Sequence, residues 1–180
     1  MTTFYLMRHG QADFSLADER RLQGAVRELV PLTSLGRQQV RAATEALRAL
    51  KPECMLASPL TRSLQSAAML SRALDLPLTV EFDLHEWVPD LTFTYDLEEV
   101  SHEAFREMQA LGGEWPPGEK RNWEPRSSVR RRVGAVLKRY LQHERVLVVC
   151  HSVVVIAMGG PALEPAEFWE YRYQTPGSKR

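Results

Sequence analysis

The sequence is poor in cysteine, with only Cys54 and Cys150, each at the end of an apolar segment. Two cysteines do not make a disulfide framework, and both are expected to be buried, reduced thiols. No CxxC, HExxH or other metal-ligand spacing occurs. Long hydrophobic runs are also missing. The most apolar stretch, residues 146–160, is interrupted by His151 and Ser152 and is too short to span a bilayer. The first residues lack a basic leader region and meet Arg8 and His9 at once, unlike a signal peptide. A cytoplasmic protein without membrane attachment is the expectation. An excess charge of either sign is absent: 23 Lys and Arg balance 23 Asp and Glu. That balance argues against a dedicated nucleic-acid or anionic-membrane binder. Lysine itself is scarce, 4 residues against 19 Arg, and arginine is the side chain that grips phosphate or carboxylate with a planar fork.

What remains is an ordinary globular composition, 44% apolar and 26% charged over 180 residues, long enough to bury a core and expected to form one domain over residues 1–180. Residues 3–7 form a short β-favouring run that ends at Arg8-His9-Gly10. Residues 11–31 are polar and irregular. Thr33 is expected to cap a helix carrying Val40, Ala43, Leu47 and Leu50, with Pro52 ending it. Residues 55–57 make a second strand. Ser58-Pro59 opens a second helix carrying Leu60, Leu64, Ala67, Ala68 and Leu74, and residues 78–82 are a third strand candidate. Residues 83–97 are irregular, residues 98–111 helical, and 112–125 a loop. Ser127 or Ser128 is expected to cap a helix with Val129, Val133, Val136, Leu137, Tyr140 and Leu141. Residues 145–150 are the strongest strand signal, followed by a short helix stopped by Gly159-Gly160-Pro161. Alternating strands and helices predict an α/β fold: a mainly parallel sheet with helices on both faces and a site at the carboxyl ends of the strands. The aromatic, charged tail from residue 167 onward has two candidate seats, the body of its own chain or a partner such as a second copy in a homodimer.

Those strand ends deliver chemistry. The first delivers Arg8 and His9, the second Ser58 and, one turn on, Arg62, the late one His151; His85-Glu86 follows the third. Two guanidiniums can clamp phosphoryl oxygens bidentately. A histidine can attack phosphorus, and a second can stabilise the equatorial oxygens. A carboxylic acid of raised pKa can protonate the leaving oxygen. With cations supplied by side chains, no metal or other cofactor is required.

Leu6-Met7-Arg8-His9-Gly10-Gln11-Ala12 resembles the RHG signature of the histidine phosphatase superfamily, the phosphoglycerate-mutase-like group. Leu32-Thr33-Ser34-Leu35-Gly36 resembles its LT..G helix start, Ser58-Pro59-Leu60-Thr61-Arg62 its SPL.R segment, and Val148-Val149-Cys150-His151 its late strand and histidine. The matches fall in order over most of residues 3–160. The resemblance implies a three-layer α/β/α sandwich of the phosphoglycerate mutase type. It implies His9 as the phosphorylated nucleophile, Arg8, Arg62 and His151 as the phosphate pocket, and Glu86 as the proton donor, with Asp83, Asp90 and Glu99 as competitors for that last role. Gln11, Ser15 and Ser152 are candidates for the pocket rim. His85 and His102 are expected to be structural or exposed, and Arg130-Arg131-Arg132 a solvated helix face. Trp87, Trp115 and Trp123 are expected to pack, with a wall over the site as the other option.

Departures from the family pattern touch substrate choice more than catalysis: Ala12, Ser15 and Ser152 stand where other residues are common, and residues 23–30 are longer and more apolar than usual. The expected activity is metal-independent hydrolysis of phosphomonoesters, or of phosphohistidine on a protein, through a phosphohistidine on His9. The alternatives are a phosphoglycerate mutase-type phosphoryl transferase, for which the stretch between residues 78 and 98 leaves little room for a closing insertion, and a catalytically degenerate binding protein of the same fold. A serine hydrolase built on Ser152 is disfavoured because no G-x-S-x-G elbow surrounds it.

Overall fold

The computed structural model describes residues 1–93 and 98–173. The parts of the irregular stretch at 94–97 and of the tail at 174–180 lie outside the described residues. The chain runs β1 (Thr3–Arg8), α1 (Ser15–Glu19), a 3-10 segment (Gly24–Leu29), α2 (Ser34–Ala49), β2 (Cys54–Ala57), α3 (Thr61–Leu74), β3 (Leu78–Val80), a 3-10 turn (Phe82–Leu84), α4 (Glu98–Ala110), α5 (Arg126–Lys138), β4 (Arg145–Cys150), α6 (Ser152–Ala157) and β5 (Phe168–Arg172). The five strands form one sheet in the order β3-β2-β4-β1-β5. All neighbours are parallel except β5, which runs antiparallel along β1.

Period-two alternation sends successive side chains to opposite faces. One face (Tyr5, Met7, Met55, Ala57, Leu147, Val149) packs on Val40 and Leu47 of α2 and Ala67 and Leu70 of α3. The other (Phe4, Leu6, Leu56, Val146, Val148, Cys150) packs on Val129, Val133, Val136 and Leu137 of α5, and on α6. Because both faces are covered, β1 and β4 read as unbroken apolar runs. The result is the expected three-layer α/β/α sandwich.

Thr33 caps α2, its hydroxyl accepting from the Gly36 N–H at 2.8 Å. Several boundaries differ from expectation. α3 begins at Thr61, so Leu60 is its extended cap residue and not a helical one. β3 stops at Val80, and the next residues tighten into the 3-10 turn. Residues 11–31 contain α1 and a 3-10 segment. α5 ends at Lys138, so Tyr140 and Leu141 lie beyond it and not on it, and it starts one residue earlier than Ser127, with no capping side chain of its own. Glu114 reaches in from the preceding loop instead and accepts from the Ser127 amide at 2.8 Å and hydroxyl at 2.7 Å, supplying the acceptor that a helix start lacks. Cys150 is buried but Cys54 is only half-buried, because it opens its strand. The tail takes the seat on its own chain as far as β5. Among the described residues no helix is long and apolar enough to cross a membrane.

Candidate active site

Parallel pairing brings three strand ends together. Arg8 lies opposite Cys150 and Ala57 opposite Val149. The ladder continues one step further, the His9 amide donating to the Cys150 carbonyl at 3.1 Å and the Ser58 amide to the Val149 carbonyl at 3.0 Å. Register alone therefore sets His9, Ser58 and His151 side by side, and the two imidazole rings sit 5.1 Å apart. Gly10 explains why His9 can be held there. A Cβ on Gly10 would stand 2.4 Å from the Gly36 carbonyl oxygen, and one on Gly36 2.2 Å from the Gln11 carbonyl oxygen. The loop after β1 and the start of α2 thus touch backbone to backbone, which only glycine permits.

His9 is buried. Its Nδ1 lies 2.7 Å from the Gly10 carbonyl oxygen, an atom that can only accept, so Nδ1 carries the proton. Nε2 keeps its lone pair and accepts from Nε of Arg62 at 3.1 Å. Burial first, then the Arg62 guanidinium, push the His9 pKa down to about 3, so the ring is neutral at ordinary pH. His151 is fully buried, and burial followed by Arg62 holds its pKa well below the usual range. Its Nε2 lies 2.7 Å from Ser58 Oγ and 3.4 Å from Ser63 Oγ. Its Nδ1 is buried without a protein partner, as is Nε of Arg8. Arg8 is anchored through Nη1 on the Leu163 carbonyl at 2.7 Å.

Arg62 is 3% exposed. Besides His9 it holds Glu28 twice, through Nη1 on the main-chain oxygen and Nη2 on the carboxylate, both at 2.7 Å. Phe14 lies 5.7 Å from the guanidinium carbon. Glu86 is half-buried, and one carboxylate oxygen accepts from the Trp87 amide at 2.8 Å. Burial outweighs that bond and the nearby Arg62, and raises its pKa to about 7.

The loop carrying Glu86 is fastened by Arg132. Its Nη1 donates to the carbonyls of Asp83 at 2.6 Å and His85 at 2.8 Å, and Nη2 to that of Glu86 at 3.2 Å. The buried Glu124 carboxylate closes the other side at 2.9 and 3.0 Å. The expected solvated face of three arginines is therefore wrong for Arg132, which is half-buried, but holds for Arg130 and Arg131, which are exposed, Arg130 donating through Nε to the Ala157 carbonyl at 2.7 Å. Helical spacing cannot show this for Arg132, because its three carbonyl acceptors come from a loop over 40 residues away in sequence.

Glu28 and Ser63 are site neighbours that the sequence did not single out. Neither carries a local signal of its own, and Glu28 lies in the long loop whose path only packing sets. Of the competitors to Glu86, Asp90 turns its carboxylate back on Thr92, which donates from its amide at 2.9 Å, and Glu99 is exposed on α4. His102 is exposed, while His85 is half-buried with Nδ1 2.7 Å from the main-chain carbonyl oxygen of Glu86. Gln11 accepts through its side chain from the Thr33 hydroxyl at 2.8 Å, and Ser15 is exposed. Ser152 is the first residue of α6, immediately after His151. Trp123 is a core residue with Trp115 packed on it, and Trp87 is buried in the same core cluster while one side of it lines a cavity beside Glu86. That cavity, about 230 Å³, is shared by Glu28 and Glu86. A larger cleft of about 540 Å³ lies between α4 and the 120–123 loop and contains none of the histidines or arginines described above.

Comparison with known proteins agrees with this architecture. The family model for the histidine phosphatase superfamily, branch 1, matches residues 4–178. A probable phosphoglycerate mutase GpmB from Salmonella typhi is 27% identical over 158 residues, 86% of this chain and 72% of that protein. The mycobacterial glucosyl-3-phosphoglycerate phosphatase superposes with a TM-score of 0.71 at 21% identity, covering 94% of this chain and 89% of that one. Bacillus stearothermophilus YhfR superposes at 0.64 with 26% identity, covering 90% and 82%. The chain belongs to the histidine phosphatase superfamily, branch 1.

Proposed function

We propose that this chain hydrolyses phosphomonoesters in two steps through a phosphohistidine on His9. The observation that carries the proposal is the fixed tautomer of His9. Its Nδ1 proton is committed to the Gly10 carbonyl, so the lone pair on Nε2 faces Arg62. The nucleophile needs no deprotonation, because its pKa of about 3 keeps it neutral. In the first step Nε2 forms a bond to phosphorus and the ester P–O bond breaks. The Glu86 carboxyl, about half protonated near neutral pH, gives its proton to the departing alkoxide. Arg62 and His151 face the phosphoryl oxygens, and the unpartnered Nε of Arg8 and Nδ1 of His151 are buried polar atoms that such oxygens would satisfy. In the second step water gives a proton to the Glu86 carboxylate and its oxygen attacks phosphorus. The N–P bond breaks, inorganic phosphate leaves, and His9 and Glu86 return to their starting states. The protons and charges close without a metal. The substrate is a phosphorylated small molecule or a phosphohistidine on a protein.

The test is turnover of p-nitrophenyl phosphate in excess EDTA, with acid-labile, base-stable phosphate trapped on the protein. Full activity in His9→Ala, or loss of activity with EDTA, refutes the proposal. Phosphate appearing on the second oxygen of phosphoglycerate, with a bisphosphoglycerate primer, would instead establish a mutase. No trapped phosphate from any ester would establish a binding protein.

A further inference from the structure

The cavity beside Glu86 is built for a particular kind of alcohol. Its walls include Leu60, Phe82, Trp87 and Phe93, and its polar lining is Glu28, His85 and Glu86. No Lys or Arg is among the described residues that line it. Phe82 and Phe93, 73% and 58% exposed, both line it, so apolar surface is available to a group bound there. Two of the three polar groups are carboxyls. The third, His85, is held in its neutral form by burial and by Arg132 beside it.

Arg132 is spent on the loop carbonyls and on Glu124, and Arg62 is engaged as well. Arg62 turns Nε to His9 and gives Nη1 and Nη2 to the main-chain and side-chain oxygens of Glu28. Glu28 therefore occupies the outer edge of the guanidinium, where a carboxylate on a leaving group would otherwise dock. Glu28 also acts on Glu86 through space, so the two carboxyls share one low-polarity corner. An acidic leaving group entering there meets like charge and apolar walls.

Resting on the phosphatase reading above, we propose that the site is selective for phosphate esters of apolar, uncharged alcohols, that Phe82 supplies the contact surface, and that Glu28 rejects anionic leaving groups. Three primary alkyl esters share the same intrinsic chemistry and separate the terms: phenethyl phosphate, glycerol 3-phosphate and 3-phosphoglycerate. The expected order of kcat/KM is phenethyl, then glycerol, then phosphoglycerate, with the first and last differing by roughly 100-fold. Glu28→Gln should raise kcat/KM for 3-phosphoglycerate relative to glycerol 3-phosphate by roughly tenfold. Phe82→Ala should raise KM for phenethyl phosphate and leave kcat/KM for glycerol 3-phosphate in place; the exposure of Phe82 makes loss of folding no obstacle. Equal turnover of the phenethyl and phosphoglycerate esters overturns the proposal while leaving the phosphatase standing. So does an unchanged substrate ratio in both variants. Absence of turnover on all three esters and on p-nitrophenyl phosphate overturns the phosphatase itself, and the selectivity with it.

Discussion

Replacing Glu86 by Gln tests the acid directly, because its pKa makes two linked demands. Burial raises that pKa from the ordinary 4.5 to about 7. The folded chain therefore holds a proton between pH 4.5 and 7 that the unfolded chain has released. Stability falls as pH rises through that window, and above it the full penalty for a buried carboxylate remains. At 1.36 kcal/mol per pH unit the gap corresponds to about 3 kcal/mol, and solvent reaching a half-buried group lowers the measurable part to about 1–2 kcal/mol. Glu86→Gln removes the ionisation but keeps the shape. The variant should gain stability over the parent at pH 8 by about 1–2 kcal/mol more than at pH 4.5, read from urea midpoints at constant m. His9 also destabilises the fold as pH drops from 6.5 towards 3, but it does so in both proteins and cancels from the difference. The kinetic demand is that kcat/KM for an alkyl phosphate declines above pH 7 in the parent. In the variant that limb should vanish, with the rate down about 10²–10⁴-fold. Equal stability differences at the two pH values would show that the carboxylate is solvated. An alkaline limb that survives in Glu86→Gln would assign the acid to another group.

Arg132→Met should lower kcat on alkyl esters by about 10–100-fold and change p-nitrophenyl phosphate, whose leaving group needs little protonation, much less; equal losses on both would mean that Arg132 only holds the fold. Gly10→Ala forces a Cβ to 2.4 Å from the Gly36 oxygen and should cost about 1–3 kcal/mol together with most activity, measured by thermal melts and turnover. Trp123→Ala removes a side chain left 1% exposed and should cost about 3–5 kcal/mol in urea unfolding, with kcat retained at temperatures where the variant stays folded.

Much of the fold is visible in the chain because its signals are local. The apolar runs at β1 and β4 lead directly to Arg8-His9 and to His151, and Thr33 caps α2 as its residue type predicts. β5 is different. Its alternating Phe168, Trp169, Glu170, Tyr171 and Arg172 pattern belongs to a half-exposed edge strand, and its pairing with β1 joins residues more than 160 positions apart. Nothing nearby in sequence announces that partner.

The same division runs through the site. Residue type and strand-end position identify Arg8, His9, Ser58, Arg62, Glu86 and His151 as one group, because a parallel sheet brings the carboxyl ends of its strands to one edge. The sequence also contains the arginine excess but not its use. Several arginines spend their planar forks on backbone carbonyls: Arg37 on Leu32, Arg48 on Ala73, Arg145 on Lys51 and Arg132 on the Glu86 loop. Only tertiary structure decides which tautomer His9 adopts, that Glu28 closes on Arg62, and that Glu86 is raised to about 7. Each of these depends on distance and dielectric between segments far apart in the chain, quantities that a local pattern of residues does not contain.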